Sequence, residues 1–451
     1  MRKPSVAPIA LLLLAMVLVP GSGHAAAAGK KTSVLIQDVQ VWDGAADTLS
    51  GPMHVLVEGN LIKKMSASPL EPAAGTTVID GGGRTLMPGL MDMHQHLALV
   101  AGPQEMRNDY DWMYNGAISG AEAHKMLLRG FTTVRDIGGP TIGLARAIDE
   151  GRIPGPRIYS AGAIISQTSG HGDFRNYNDP HPNMTGELHM MDRLGWNILA
   201  DGKAEVTRAA REVLRTGATQ LKLMAGGGVA SNFDPIETVQ YTPEELRAAV
   251  TAAANYDTYV AVHAYTDAAI RQALEAGVMS IDHGMLIEES TMKLLAEKGA
   301  FLSPQAYIFS GNLDMDWFTD ENRRKLAQVS AGLDEEMKLA KKHGVKIVFG
   351  TDMFGRKLFA EQNKELGLRL KWFTPLEILK QATSVAADLL ALCKTRNPYK
   401  DGPLGIVAEG AYADLLLVEG DPLENLRLLE DPAANLKLIM KDGVIYKNTL
   451  D

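Results

Sequence analysis

Of 451 residues only one is cysteine, Cys393. An intramolecular disulfide is therefore excluded, and the fold must stand without covalent cross-links. Excess positive charge is also missing: 45 basic residues face 54 acidic ones, a formal net charge of −9. That balance argues against a nucleic-acid footprint and against a basic membrane patch. Beyond the N-terminal segment, no apolar run approaches the roughly 20 residues that span a bilayer. No internal repeat or low-complexity tract follows that segment. Two catalytic signatures are absent as well. There is no Gly-x-Ser-x-Gly nucleophile elbow, and Gly226-Gly227-Gly228 lacks the Gly-Lys-Ser/Thr of a phosphate loop.

What is present is ordinary globular composition, 46% hydrophobic and 22% charged. At about 150 residues per domain, such a chain holds two or three domains, or one large α/β barrel with an attachment. Residues 1–28 combine Arg2 and Lys3, an apolar run from Ile9 to Val19, and small residues around Gly23–Ala28. This is the pattern of a cleaved export signal, with an apolar run too short for a comfortable span. The protein is expected to be exported, periplasmic or secreted, with no membrane attachment once the signal is removed. A lone cysteine suits an oxidising compartment, because nothing can mispair within one chain.

Residues 33–87 read as short strands and turns, as in SVLIQDVQVWDG and MHVLVEG. From about residue 88 the texture changes to apolar runs alternating with helical patterns, the signature of βα units and a parallel sheet. After Pro403 strands return, in ADLLLVEG and LKLIMKDGVIYKN. The expected fold is α/β: a (β/α)8 TIM-like barrel over 88–402, with a small β-sandwich domain composed of 29–87 and 403–451. Within the barrel, Tyr259–His263 and Val278–Asp282 are expected strands. Between them Thr266 starts a helix and Gly277 ends it. Thr242-Pro243-Glu244-Glu245 and Thr374-Pro375-Leu376-Glu377 both carry Thr at the N-cap, Pro at N1 and Glu at N3. The stretch 166–200 is too long for a typical βα connection, and long connections are usually functional.

The sharpest local signal is Met91-Asp92-Met93-His94-Gln95-His96, after an apolar, strand-like lead. Residues i and i+2 of a strand share a face, so His94 and His96 project together as a pair of metal ligands. The alternative is two surface histidines on an edge strand. Four further positions weigh against that alternative. Lys222 sits inside the apolar run Gln220–Met224, where an ammonium is costly unless paired or modified. His263, His283 and Asp352 each end an apolar strand. In a (β/α)8 barrel the C-terminal strand ends form the catalytic rim. Five strand ends bearing ligand-type residues make a metal site.

This set resembles the metal-dependent amidohydrolase superfamily in its two-metal subtype. The flanking GGGRTLMPGLMDMHQH and EGAYADLLLVEGDP are similar too. More narrowly, GFTTVRDIGG, SQTSGHGDF, LKLMAGGGVAS and AVHAYTDAAI resemble prolidase-like and Xaa-Arg or Xaa-Lys dipeptidases and ochratoxin-hydrolysing amidohydrolases. The resemblance implies two divalent cations, expected to be zinc. It assigns His94, His96 and Asp352 to one cation and His263 and His283 to the other, bridged by Lys222 carboxylated by CO2. It implies attack by a metal-bridging hydroxide on the amide bond of a dipeptide, N-acyl amino acid or ochratoxin-like amide, releasing a C-terminal amino acid. Asp352 is the expected proton carrier.

His171 resembles the histidine set over the scissile carbonyl, so it is a candidate both for catalysis and for substrate contact; a merely exposed loop histidine is the alternative. Tyr265, two residues after His263, is either a substrate contact or a packing tyrosine. Buried ion pairing is the plainer explanation for Arg135 and Asp136. The partner implied is a small-molecule amide or dipeptide, and a homo-oligomer is open. Two rival functions stand: opening of cyclic amides or lactones, or deamination, at the same binuclear site; and, more remotely, a non-catalytic binding protein.

Overall fold

A computed structural model describes residues 33–450, apart from 313, 314 and 316. The export signal expected at 1–28 lies outside the described residues. Three sheets organise the chain. The first has eight strands, drawn from both ends of the sequence. Within it, Thr85–Pro88 pairs parallel with Ser33–Val41 on one side and antiparallel with Leu415–Val418 on the other. Leu415–Val418 is buried on both faces. Leu415 and Leu417 enter a core shared with Val34, Val55 and Leu438, whereas Leu416 and Val418 enter the core of the βα region. Strand alternation thus fastens the sheet to its neighbour.

The other two sheets are parallel. One holds Leu90–Gln95, Phe131–Asp136 and Arg157–Ser160. The other runs from Asn197–Leu199 and Ile164–Ser166 through Leu221–Met224, Val260–Thr266, Ser280–Leu286 and Phe301–Ser303 to Lys346–Ile347. Residues 161–163 carry the chain from one sheet to the other, with Gly162 at φ 65°. At the opposite ends the two sheets meet again. Met93 N donates to Phe349 O and Asp352 N to His94 O, both at 2.8 Å.

Helices alternate with these strands, and their starts follow local chemistry. Thr242 with Glu245 and Thr374 with Glu377 form complete capping boxes, each with proline in the first turn. Helix Asp267–Ala276 buries Ile270, Ala273 and Leu274 and ends at Gly277, φ 100°. Thr266 holds its N-cap position, but its hydroxyl makes no capping bond and is buried without a partner. The flanking strands reach further toward their C-termini than the sequence pattern predicts. Their pairing persists past both histidines, with Ala264 opposite His283 and Thr266 opposite Leu286.

Arg157 crosses from the parallel strands to the eight-stranded sheet. Its Nε donates to Asp414 Oδ2 at 2.8 Å and its Nη2 to Asp442 Oδ1 at 2.6 Å. The guanidinium also lies 4.0 Å from the centre of the Tyr412 ring. Cys393 is buried, with Sγ 3.8 Å from Gln220 Oε1, and burial pushes its thiol up to about 12. The stretch 166–200 contains two short helices, Pro182–Thr185 and Met190–Arg193. Among the described residues no helix is long and apolar enough to cross a membrane.

Candidate metal centre

His94, His96, His171, Lys222, His263, His283 and Asp352 all line one cavity of about 1020 Å³. His94 lies on Leu90–Gln95 with His96 one residue past it, Lys222, His263 and His283 lie on three strands of the other parallel sheet, and His171 belongs to the 166–200 stretch. Asp352 does not end a strand as the sequence suggests; it follows Lys346–Ile347 by five residues of irregular chain. Asp92 sets the first of these elements. Its Oδ2 accepts from Gln95 Nε2, Thr351 Oγ1 and Gln362 Nε2 at 2.6, 2.6 and 2.9 Å. Its Oδ1 accepts from the backbone N–H groups of His94 and Thr351. One buried carboxylate therefore holds the His94 strand against the residue preceding Asp352.

Two of the imidazoles are oriented by hydrogen bonds from one ring nitrogen to a backbone carbonyl. His96 Nδ1 donates to Gly138 O at 2.8 Å, leaving the Nε2 lone pair facing inward. Asp352 Oδ1 lies 3.5 Å from both His96 Nε2 and His94 Nε2. His263 Nε2 donates to Gly227 O at 3.0 Å, leaving Nδ1 free. His283 Nδ1 is buried without any partner. Ring centres of His94 and His283 are 5.1 Å apart, and those of His263 and His283 are 4.5 Å apart.

Burial lowers His94 to about 3 and His96 to about 4, so both stay neutral with a lone pair available. Burial also drives His263 and His283 well below the ordinary histidine range. Asp352, largely but not fully enclosed by these groups, loses enough solvation to be pushed up to about 8. His94, His96 and Asp352 each offer a ligand atom, and those atoms lie within 4.8 Å of one another. Neutral imidazoles with oriented lone pairs, one orphaned ring nitrogen and a destabilised carboxylate are what a divalent cation requires. The residues fit the implied group.

Two of the candidate ligands sit in the left-handed backbone region, His283 at φ 74° and Asp352 at φ 53°. Non-glycine residues there are uncommon and cluster at functional sites. His171 stacks on His263, with ring centres 4.2 Å apart. Its Nδ1 lies 2.7 Å from Ser231 Oγ and 3.5 Å from Asp234 Oδ2. The triple glycine makes room for it, because a Cβ at Gly228 would stand 1.8 Å from His171 Nδ1.

Tyr265 lies behind the histidines, packed on His263, His283 and Phe309, and is not among the cavity-lining residues. Arg135 does form a buried ion pair, but with Asp282 rather than Asp136. Asp136 instead accepts from Leu97 N and Thr141 Oγ1. Of the methionines in 184–193, Met191 lines the cavity while Met184 is exposed.

Sequence reasoning missed Asp282. Its Oδ1 accepts from Arg135 Nη2 at 2.6 Å and lies 3.5 Å from His94 Nδ1, while Oδ2 accepts from Lys222 Nζ. The signal was available: a carboxylate inside an apolar strand, near a lysine inside another, each needing a partner. Sequence also missed the support under His171. There Lys325 Nζ donates to the carbonyls of Gly228, Ser231 and Asp234.

Residues 85–447 match the amidohydrolase family, and the chain belongs to it. It is 33% identical to the ochratoxinase of Aspergillus niger over 386 residues, 80% of this chain and 75% of that protein. A crystal structure of a prolidase complexed with N-methylphosphonate-L-proline is 34% identical, with a TM-score of 0.85 over 93% of this chain and all of that one. A Xaa-Pro dipeptidase with bound methionine in its active site is 29% identical, with a TM-score of 0.79 over 92% of this chain and 100% of that one.

Proposed function

We propose that this hydrolase cleaves the amide bond of dipeptides, N-acyl amino acids or ochratoxin-like amides and releases a C-terminal amino acid. The carrying observation is the convergence of His94, His96, Lys222, His263, His283 and Asp352 on one cavity, with outer hydrogen bonds fixing the rings of His96 and His263. The two parallel sheets, joined at both ends, are read as one (β/α)8 barrel, and the sheet built from both chain ends as its composite β domain. His94, His96 and Asp352 would hold one divalent cation, expected to be zinc, and His263 and His283 a second. Lys222, carboxylated by CO2, would bridge them.

When bound, such cations supply positive charge that acidifies water and polarises a carbonyl. The chain's own groups do the rest. Asp352, set between two imidazoles and kept ionised where a cation is bound, is poised to accept a proton from the attacking water and pass it to the leaving amine. His171 stands over His263 and can donate to the carbonyl oxygen as charge develops there. Phe174, Trp196 and Trp317 give the cavity apolar area for a bulky acyl or side chain. Arg107, Arg356 and Lys357 line the same cavity and offer positive charge to a substrate carboxylate. The N-terminal segment supports the further reading that the enzyme works outside the cytoplasm.

The test is amino-acid release by zinc-loaded protein across Xaa-Pro, Xaa-Arg, Xaa-Lys and Xaa-Phe dipeptides, N-acyl amino acids and ochratoxin A. The Asp352→Asn variant is the control. Release by the wild type alone is expected. No release from any of these, with two metals bound, overturns the acyclic-amide reading and turns the search to cyclic amides and lactones.

A further inference from the structure

Behind the histidines, Lys222 is joined by two buried charges that the reaction itself does not use, Arg135 and Asp282. Arg135, Lys222 and Asp282 are all fully buried, on three parallel strands. Arg135 is fixed on three sides. Its Nε donates to Met93 O at 2.6 Å, its Nη1 to Ser280 Oγ at 2.9 Å, and its Nη2 to Asp282 Oδ1 at 2.6 Å. Asp282 uses its other oxygen for Lys222 Nζ. In a regular strand, residues 282 and 283 would face opposite sides. The left-handed turn at His283 instead lets Asp282 and His283 both reach this interior.

Charge balance gives this arrangement a purpose. As an ammonium, Lys222 leaves two cations around one carboxylate. That interior repels metal ions. Carboxylation follows R–NH3+ + CO2 → R–NH–CO2− + 2 H+, with both protons passing to solvent. A new N–C bond forms, and nitrogen keeps a single hydrogen. The carbamate adds an anion beside Asp282, which would be costly if Asp282 were alone. Arg135 neutralises Asp282 in advance, so Asp282 presents the carbamate with no net negative charge.

Resting on the binuclear reading above, we propose that Asp282, clamped by Arg135, is the positioning residue for Lys222. It accepts a hydrogen bond from the ammonium before carboxylation and from the remaining carbamate N–H afterwards. Held there, the two carbamate oxygens are left free to face the cavity. Asp282 lines no part of the cavity and touches none of the atoms that react in the hydrolysis. Its effect passes through Lys222 and, by way of the 3.5 Å approach to Nδ1, through His94.

The experiment compares wild type, Asp282→Asn and the double variant Asp282→Asn/Arg135→Met, which leaves no unpaired guanidinium and keeps the test open if the single variant fails to fold. Each is supplied with isotope-labelled bicarbonate and zinc. The readouts are the carbamate carbon resonance, zinc per chain and zinc affinity. Metal affinity in the variants should fall about 10–100-fold, the range for lost outer-shell partners, with the carbamate signal reduced in parallel and partly restored by raising bicarbonate. A full carbamate signal and unchanged zinc affinity in a folded variant would overturn the positioning role alone. Absence of a carbamate from the wild type would overturn the binuclear reading beneath it.

Discussion

Arg157 and Arg135 stand on neighbouring parallel strands, and both are buried, yet they anchor clusters of opposite character. Around Arg157 there are two carboxylates, Asp414 and Asp442, with an aromatic face beneath. Buried Lys441 and exposed Asp149 join the cluster, so three carboxylates face two cations. The surplus is negative and reaches solvent at Asp149 and at Asp442, whose side chain is 43% exposed, so water carries it. Around Arg135 the surplus is positive, on Lys222, and only 1% of that side chain is exposed. A surplus that solvent can reach costs little, and its cluster reads as a joint between two parts of the fold. A sealed surplus is costly, and that cost is the ground for the carboxylation proposed for Lys222.

The sharpest way to break this contrast is Asp352→Asn. If the cavity is built for chemistry, kcat should fall about 10²–10⁴-fold while the metal-free variant unfolds near the temperature of the metal-free wild type. A stability loss without an activity loss would erase the distinction. Next comes Arg157→Met, which leaves Asp414 buried without its cation. Chemical denaturation should show about 3–5 kcal/mol of lost stability, with the folded fraction retaining wild-type kcat. Metal removal tests both halves together. Chelation should abolish activity reversibly, and cations at about 100 times their Kd should return about 2.7 kcal/mol of stability. An equal shift in an Asp352→Asn/His94→Ala variant would show that the metal acts elsewhere. The smallest expected effect is Thr242→Ala. Losing that capping box should cost about 0.5–2 kcal/mol and leave activity untouched, as measured by melting and by the same amide assay.

The sequence announced those parts of the molecule where one local rule suffices. Capping boxes at Thr242 and Thr374 depend on four consecutive residues. The candidate ligands stand out because a polar side chain ends an apolar run. Asp282 was hidden by the alternation rule that found His94 and His96, because the positive φ at His283 breaks the alternation. Nothing local links Lys325 to the loop beneath His171, since the hydrogen bonds join residues 91–97 positions apart. Tyr265 shows the rule's other limit. Sharing a face with His263 put the two rings in contact, but the second ring fills the space behind the first instead of meeting the cavity.

The single thiol has a use in the laboratory that follows from its burial. Cys393 is sealed among core residues and holds its proton, so a thiol-reactive dye has neither a path nor a thiolate to attack. Each labelled molecule must therefore have opened at least once. Labelled fraction against time, read by intact mass, becomes a clock for opening of the region around Cys393. The clock needs no engineered cysteine and has no second site to confuse it.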